Sequence, residues 1–579
     1  MANLSQERRE RMLAFLQTLK AQHTDDDSLI AFGEIEKELK AKKYGLVWEE
    51  HEEEVDVKMR THIPVFVADE NMTVIGNQGS ERFNFLLEGD NLHSLRLLEK
   101  THRGKIDVIY IDPPYNTGGK DFIYDDSFVG SDDAFIHSKW LSFMNARLHI
   151  AHELLKEEGI IFISIGDYEL SDLKLLCDEV FGEVNCLGIV PRLMKTGGNK
   201  GRFFSPNIDY VLVYAKNYLS AIDFKGELDE ELVKKLYNKT ETEGTRKGER
   251  YRPFGLYQSS LDARPNQRYY IECPDGSFVI PPGTTMPAIV ADGEKVLPNP
   301  EDGCWRWSQE RYKEEMAKGN ILFTKSKSGV LIQPDGSKSK WNVYTKIWLS
   351  SREEEGQTPT NFISKFENRH SAKELKDLGI DFDFAKPTGL IKYLFSLTGA
   401  GKEAVFLDFF AGSGTTGQAV MEMNKEDDGN RRFILCTNNE NGICENVTYQ
   451  RLKTVITGKR QDGSEYSKGI SANLMYFRTD FVDKESEELS EELLKHIREM
   501  IQLEHGIKID DQKYVIIMDD EEMDAFEQNF SSYTQLKAVF INQDVFLSSS
   551  QEEMLENIDS YIIPDYYFDF ELREAGEIW

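Results

Sequence analysis

The 579 residues, 40% hydrophobic and 29% charged, describe a globular chain long enough for several domains; no apolar run reaches membrane-spanning length and the N-terminus lacks a signal-peptide core, so a cytoplasmic protein is expected. A net charge of -32 argues against a uniformly basic nucleic-acid binder, yet residues 481–579 hold 26 acidic and 7 basic side chains while residues 191–350 hold 25 basic and 20 acidic ones. The six cysteines form no C-x-x-C pair and do not cluster with histidines, which excludes a disulfide framework and leaves no metal site to expect.

Residues 1–80 read as helical and then mixed, with "WEEHEEEVDVK" as a solvated face. From Phe83 an α/β pattern begins: "FNFLLEGDNLHSLRLLEK" predicts a strand, a Gly-Asp turn and a helix. Ile106, Val108, Ile109 and Ile111 then form the β-branched run of a buried parallel strand. Pro113 and Pro114 lack amide donors and have fixed φ, so they end that strand and hold Asp112 and Tyr115 beyond its carboxyl end, where open α/β sheets bind ligands. "HSKWLSFMNARLHIAHELLKEEG" has helical spacing with Gly159 as its stop, "IIFISI" is a second buried strand, and "DYELSDLKLLCDEVFG" a further helix. Alternation of this kind predicts a parallel sheet covered on both faces.

Periodicity changes after Pro191. Residues up to about 385 are rich in Gly, Pro, Tyr, Arg and Lys, which predicts an inserted, irregular or β-rich domain. The α/β pattern returns with a helix in "AKPTGLIKYLFSLTG", a strand, glycine turn and helix in "AVFLDFFAGSGTTGQAVMEM", and a strand in "RRFILCTNN". Gly412 and Gly414 let a ligand approach the backbone, and the following helix start, with Thr415, offers free amides. Asp408 would repel a pyrophosphate but suits an ammonium or sulfonium group, and no lysine follows in P-loop register. The turn taken alone also leaves a nicotinamide-dependent enzyme open.

Asp-Pro-Pro-Tyr at Asp112–Tyr115 combined with Phe-x-Gly-x-Gly at Phe410–Gly414 resembles the β-class amino-methyltransferases of DNA, in which the first motif precedes a target-recognition domain and the second follows it. "LLEGDNLHSL", "IYIDPPYNTG", "HSKWLSFMNARL", "AKPTGLIKYLF", "DFFAGSGTTG" and "NLMYFRTDFV" narrow the resemblance to the Mod (modification) subunits of type III restriction systems, across nearly the whole chain. The resemblance implies an α/β fold: a Rossmann-like S-adenosylmethionine-dependent methyltransferase sheet with circularly permuted motif order, an inserted recognition domain and an acidic C-terminal α/β region. The expected division is 1–80 as an N-terminal region, 81–190 as the catalytic half, 191–385 as the target-recognition domain, 386–470 as the cofactor half, and 471–579 as an acidic C-terminal domain for docking a partner.

By the same resemblance, Asp112 and the Pro113 carbonyl accept hydrogen bonds from the exocyclic amine of a flipped adenine, Pro114 fixes the loop, and Tyr115 stacks on the base. A carboxylate is too weak a base to deprotonate a neutral amine before attack, so Asp112 orients the nitrogen and takes up its proton late. Asp408, Phe410, Gly412, Gly414 and Thr415 line the S-adenosylmethionine site, Lys386 reaches its carboxylate, and Asp90 accepts from its adenine. Asp90 alone reads equally well as a helix N-cap, and Lys386 alone as a surface lysine. The acidic ribose ligand usual after the "RRFILC" strand is replaced by Thr437, which leaves Glu440 or a neighbouring asparagine for that contact. Lys195, Lys200, Arg202, Arg246, Lys247, Arg250 and Arg252 are the expected DNA contacts. Double-stranded DNA, a second Mod copy and a restriction (Res) subunit are the implied partners. A solitary or other phage-defence adenine methyltransferase, an N4-cytosine methyltransferase and a non-catalytic recognition subunit stand as alternatives.

Overall fold

The computed structural model describes residues 4–23, 26–40, 48–118, 123–124, 127–128, 135–197, 203–226, 228, 230–262, 264–288, 290, 294–325, 329–563 and 567–568. Two compact units result, one of Met1–Ile222 with Asn361–Trp579 and the other of Asp223–Thr360.

The larger unit is built on a ten-stranded sheet. In chain order its main elements are β1 (His62–Ala68), β2 (Asn84–Glu88), α1 (Asn91–His102), β3 (Ile106–Ile111), α2 (Ile136–Leu154), β4 (Leu155–Ile165), α3 (Leu170–Cys177), β5 (Cys186–Leu193) and β6 (Ile208–Ala215). After the smaller unit come α4 (Thr388–Leu397), β7 (Val405–Asp408), α5 (Thr415–Asp427), β8 (Arg432–Thr437), α6 (Tyr449–Thr457) and β9 (Asn473–Asp483). The order across the sheet is β1-β9-β2-β8-β7-β3-β4-β6-β5, with the short strand Val74–Ile75 added to β9. From β9 to β4 every neighbour is parallel; β1, β6 and β5 are antiparallel.

Alternation along β7 shows why both faces need helices. Leu407 joins the core formed with α1, α2 and α3, while Phe406 turns to the other face and packs on Phe395 of α4, ring centres 4.4 Å apart. From β3 the chain proceeds outward through α2 to β4, and from β7 it proceeds the opposite way through α5 to β8. Strands β3 and β7 are neighbours, so the crevice at their carboxyl ends is the topological switch point of a doubly wound sheet.

Several boundaries differ from the sequence reading. Helix α2 ends at Leu154, not at Gly159; Gly159 lies inside β4, where a Cβ would come within 3.1 Å of the Ile106 carbonyl. The segment 191–222 is outside the smaller unit because β5 and β6 pair onto the main sheet. At the other end, β9 lies wholly beyond the expected boundary at 471 yet joins the main sheet between β1 and β2, and Leu489, Leu493, Ile497 and Met500 pack into its core. Only from Tyr514 does a separate layer form, a parallel three-stranded sheet of Tyr514–Ile517, Ala538–Asn542 and Asp559–Ile563 with its own core around Ile517, Phe526 and Val539.

The smaller unit is largely irregular around one small sheet, the irregular alternative of the sequence reading. Arg250–Gly255 and Trp341–Trp348 pair at the centre of a four-stranded antiparallel sheet over a core of Leu256, Tyr269, Ile271, Trp305 and Val343. Among the described residues no helix is long and apolar enough to cross a membrane. All six cysteines are free.

Candidate active site

The Asp-Pro-Pro-Tyr loop leaves the carboxyl end of β3 and is fixed from four directions. The Trp140 indole donates to the Pro114 carbonyl at 2.8 Å. The Tyr115 ring lies against Gly166, where any Cβ would come within 2.8 Å of Cδ2, and its hydroxyl donates to Asp209 Oδ2 at 3.4 Å. Asp209 is itself held in a buried ion pair by Arg192, whose Nε lies 2.7 Å from Oδ1. Asn116 then reverses the chain at φ +55°, an unfavourable conformation for a non-glycine residue, and its amide donates to Glu169 Oε1 at 2.5 Å and to the Ile136 carbonyl at 3.3 Å. Burial pushes the Glu169 carboxyl up to about 7, against the lowering effect of Asn116 and His137. Burial and the Asp112 charge also push the Tyr115 phenol well above its ordinary value, which keeps it neutral.

The second half of the site is brought in by Lys386. Pro387 is the N-cap of α4, and the buried Lys386 side chain just before it places Nζ 2.5 Å from Asp112 Oδ2, across 274 residues of sequence. The same ammonium lies 5.1 Å from the centre of the Tyr115 ring. The Lys386 carbonyl accepts from Thr415 Oγ1 at 3.2 Å, so a single residue touches both the loop after β3 and the helix after the glycine turn. With Oδ2 paired, Asp112 Oδ1 is buried and has no partner among the described residues.

The glycine turn follows β7. Gly412 and Gly414 adopt φ +49° and +75°, and at Gly412 a Cβ would have only the Phe410 carbonyl within 4 Å, at 3.8 Å, so the backbone there is open to an approaching group. Gly417 is required for packing, since a Cβ would come within 2.6 Å of Leu452. Asp408 faces inward: Oδ1 accepts from the Phe410 amide at 3.0 Å and Oδ2 from the Thr416 hydroxyl at 2.6 Å. Burial, reinforced by Asp112, pushes its carboxyl up to about 7. Behind the turn the fully buried Arg451 donates to Thr415, Ser413, Gln418 and Thr388, and burial holds its guanidinium down to about 10.

Asp90 forms the N-cap of α1, accepting from the Leu92 amide at 2.7 Å, and also faces Arg147 Nη2 at 3.3 Å. Arg147 is buried between Glu53, at 2.7 Å, and the Phe143 ring, at 3.7 Å from its centre. Its Nε donates to Asn91, which in turn donates to the Phe409 carbonyl at 2.7 Å. Phe410 packs on Phe143 at 5.8 Å. After β8, Asn439 is spent on capping the Cys444 and Glu445 amides, whereas Glu440 is exposed. The two motifs 300 residues apart in sequence are thus one rim.

A family model described as DNA methylase, for N6 and N4 methyltransferases, matches residues 106–449, a span that opens at β3 and closes at the start of α6. The chain belongs to this DNA methylase family. Among its relatives are the StyLTI Mod subunit of a type III restriction-modification enzyme from Salmonella typhimurium, 35% identical over 65% of this chain and 55% of that protein, and the EcoPI Mod subunit from Escherichia phage P1, 33% identical over 62% and 58%. The chain thus spans little more than half the length of these two relatives. The type II methyltransferase M.KpnI from Klebsiella pneumoniae is 34% identical over 62% of this chain and 82% of its own length.

In this DNA methylase the rim gathers Asp90, Asp112, Pro113, Pro114, Tyr115, Lys386, Asp408, Phe410, Gly412, Gly414 and Thr415. Trp140, Gly166, Glu169, Arg147 and Arg451 hold it in place and were not singled out from the sequence. The "HSKWLSFMNARL" segment supplied Trp140 and Arg147, but helical spacing marks both only as face residues. Lys195 is exposed just past β5, while Lys200 and Arg202 lie outside the described residues. In the smaller unit, Lys247 is exposed, Arg246 pairs with Glu249 at 3.1 Å and stacks on Trp348, and Arg250 donates to the Tyr237 carbonyl at 2.9 Å. Arg252 lies over the Tyr237 and Phe254 rings.

Proposed function

We propose that this methylase transfers a methyl group from S-adenosylmethionine to N6 of an adenine flipped from double-stranded DNA, as the modification and recognition subunit of a type III restriction system. The observation that carries the reading is the asymmetry of Asp112: Lys386 occupies Oδ2, and Oδ1 is buried without a partner among the described residues, beside an aromatic ring. A buried acceptor of that kind suits an exocyclic amine. The open backbone at Gly412 and the inward-turned Asp408 fit the methionine part of the cofactor, with Phe410, Gly414 and Thr415 around it and Asp90 and Glu440 as the acceptors for its nucleoside, while Lys386 is committed to Asp112 rather than to the cofactor carboxylate.

When bound, S-adenosylmethionine supplies an electrophilic methyl group on sulfonium sulfur. Asp112 Oδ1 and the Pro113 carbonyl accept from the two amine hydrogens, which draws the nitrogen lone pair out of conjugation and aims it. Asp112 then takes up the proton that the methylated nitrogen releases. Tyr115, neutral and pinned between Gly166 and Asp209, provides the stacking face. Lys195, Lys200, Arg202, Arg246, Lys247, Arg250 and Arg252 are the proposed DNA contacts, the Asp223–Thr360 unit the proposed recognition region, a second copy of the chain and a Res subunit the proposed protein partners, and the cytoplasm the proposed location.

Long-read sequencing of DNA from cells expressing the chain tests this: N6-methyladenine in one sequence context is expected, and its loss with Asp112→Ala. Methylation that persists in that variant refutes the role of Asp112. A second reading, an adenine methyltransferase acting without a Res subunit, is favoured by M.KpnI, 82% of whose length is matched. Co-purification from cells carrying both genes separates the two, since only the type III subunit retains a helicase-nuclease partner.

A further inference from the structure

In the Asp223–Thr360 unit two arginines share one phenyl ring. Arg252 and Phe254 alternate on the strand Arg250–Gly255 and so lie on one face, while Arg306 comes from a separate segment whose amide donates to the Leu256 carbonyl at 2.9 Å. The guanidinium carbons stand 5.4 Å (Arg252) and 4.1 Å (Arg306) from the Phe254 ring centre. Neither arginine has a carboxylate partner among the described residues. Gln258 Oε1 accepts from Arg306 Nη2 at 2.6 Å, and Nε of both arginines is buried without an acceptor among the described residues. Burial lowers the Arg306 pKa with no acidic group to offset it.

Two cations on one ring without a counter-charge are costly to the isolated unit. Other arginines nearby avoid that cost: Arg246 has Glu249, Arg250 has the Tyr237 carbonyl, and Arg268 has the carbonyls of Pro281 and Gly303. The uncompensated pair therefore points to a ligand rich in acceptors. A guanidinium held 4.1 Å from a ring centre and fixed at one edge by Gln258 is a preorganised donor fork, the geometry that suits the O6 and N7 acceptors of guanine; phosphates are met equally well by mobile lysines. We propose that Arg252, Phe254 and Arg306 form a base-reading cluster that recognises guanine in duplex DNA. This rests on the reading of the chain as a DNA methyltransferase, and Arg306 is the member that charge counting along the sequence did not single out.

The test uses the full chain and its Arg306→Gln, Arg252→Gln, Phe254→Leu and Lys239→Gln variants, each checked for folding by thermal unfolding. Each selects from a library of randomised DNA duplexes, and its methylation pattern is mapped separately. The wild type is expected to select a site containing guanine. Arg306→Gln and Arg252→Gln should each lose roughly tenfold or more of the selectivity at one guanine, Phe254→Leu should weaken the same positions, and Lys239→Gln, at an exposed lysine of the same unit, should leave the pattern unchanged. Should a glutamine variant fail to fold, Arg306→Lys, which keeps the charge but not the fork, is expected to show the same loss. A selected site without guanine overturns the proposal, as does a uniform loss of affinity across all sequences with a salt slope lowered by about one, which marks a phosphate contact. Sequence-selective binding without any methylation would sink the proposed enzymatic function and leave the cluster standing.

Discussion

Asp408 offers a direct reading of how the glycine turn is held. Its carboxyl is buried, and burial pushes it up to about 7, so the folded protein retains a proton that the unfolded chain gives up near the ordinary aspartate value. For a group whose folded pKa is raised, the stabilising contribution is complete below the unfolded pKa and is lost as pH climbs through the folded one. Between pH 5 and pH 8 this one carboxyl should cost the folded state about 3 kcal/mol, from roughly two pH units at about 1.4 kcal/mol each. Asp408→Asn keeps the shape and an acceptor for the Phe410 amide but removes the titration.

Urea unfolding of the wild type and the variant across that pH range measures the effect. The difference in unfolding free energy should move by about 3 kcal/mol in favour of the variant as pH rises, because every other titrating group, Glu169 included, is common to both proteins. Parallel stability curves would refute the argument, since Asp408 would then ionise in the folded protein as it does in the unfolded chain.

Trp140→Phe keeps the ring but strips the Pro114 carbonyl of its donor, and a loss of about 1–3 kcal/mol in stability together with slower methyl transfer is expected, read from denaturation midpoints and initial rates. Gly166→Ala drives a methyl group against the Tyr115 ring; transfer should fall while the circular dichroism spectrum stays unchanged, and an active variant would show that the ring position is immaterial. Lys386→Met frees Asp112 Oδ2, and the pair geometry predicts a fall in transfer of roughly 100-fold with little change in S-adenosylmethionine affinity by calorimetry. The reverse pattern would return Lys386 to the role of cofactor-carboxylate ligand.

The strands that carry the site were legible because their signals are local. Ile106–Ile111 and Val405–Asp408 are short apolar runs closed by prolines or glycines, and a buried parallel strand needs little else. What escaped reading depends on partners distant in sequence. Lys386 enters the sequence reading through the resemblance alone, as a cofactor ligand, and its pairing with Asp112, 274 residues away, has no local mark. Glu53 sits in an acidic run that reads as solvated, yet it is 7% exposed and pairs with the buried Arg147. The strand Asn473–Asp483 carries no mark that it would sit between β1 and β2, because pairing order is decided by the whole sheet. Gly159 stops a helix on local propensity alone, but the pairing of Leu155 with Ile106 starts the strand earlier.

Two carboxylates at neighbouring strand ends meet opposite fates, and the difference sets what the rim can do. Both Asp408 oxygens are taken by donors of its own turn, so its task is to shape the glycine backbone. Asp112 has one oxygen committed to Lys386 and one without a partner among the described residues. Had Asp112 been satisfied in the same way as Asp408, the site would be stable and inert; an unpaired buried acceptor costs about 1–3 kcal/mol, and that cost is recovered only when a donor arrives. The proline pair and the Trp140 hydrogen bond are what prevent the loop from relaxing to satisfy Oδ1 on its own. Rigidity of the loop and reactivity of the carboxylate are therefore the same property, which is why substitutions at Trp140 and Gly166, neither of which carries an acidic or basic group, are expected to slow the chemistry.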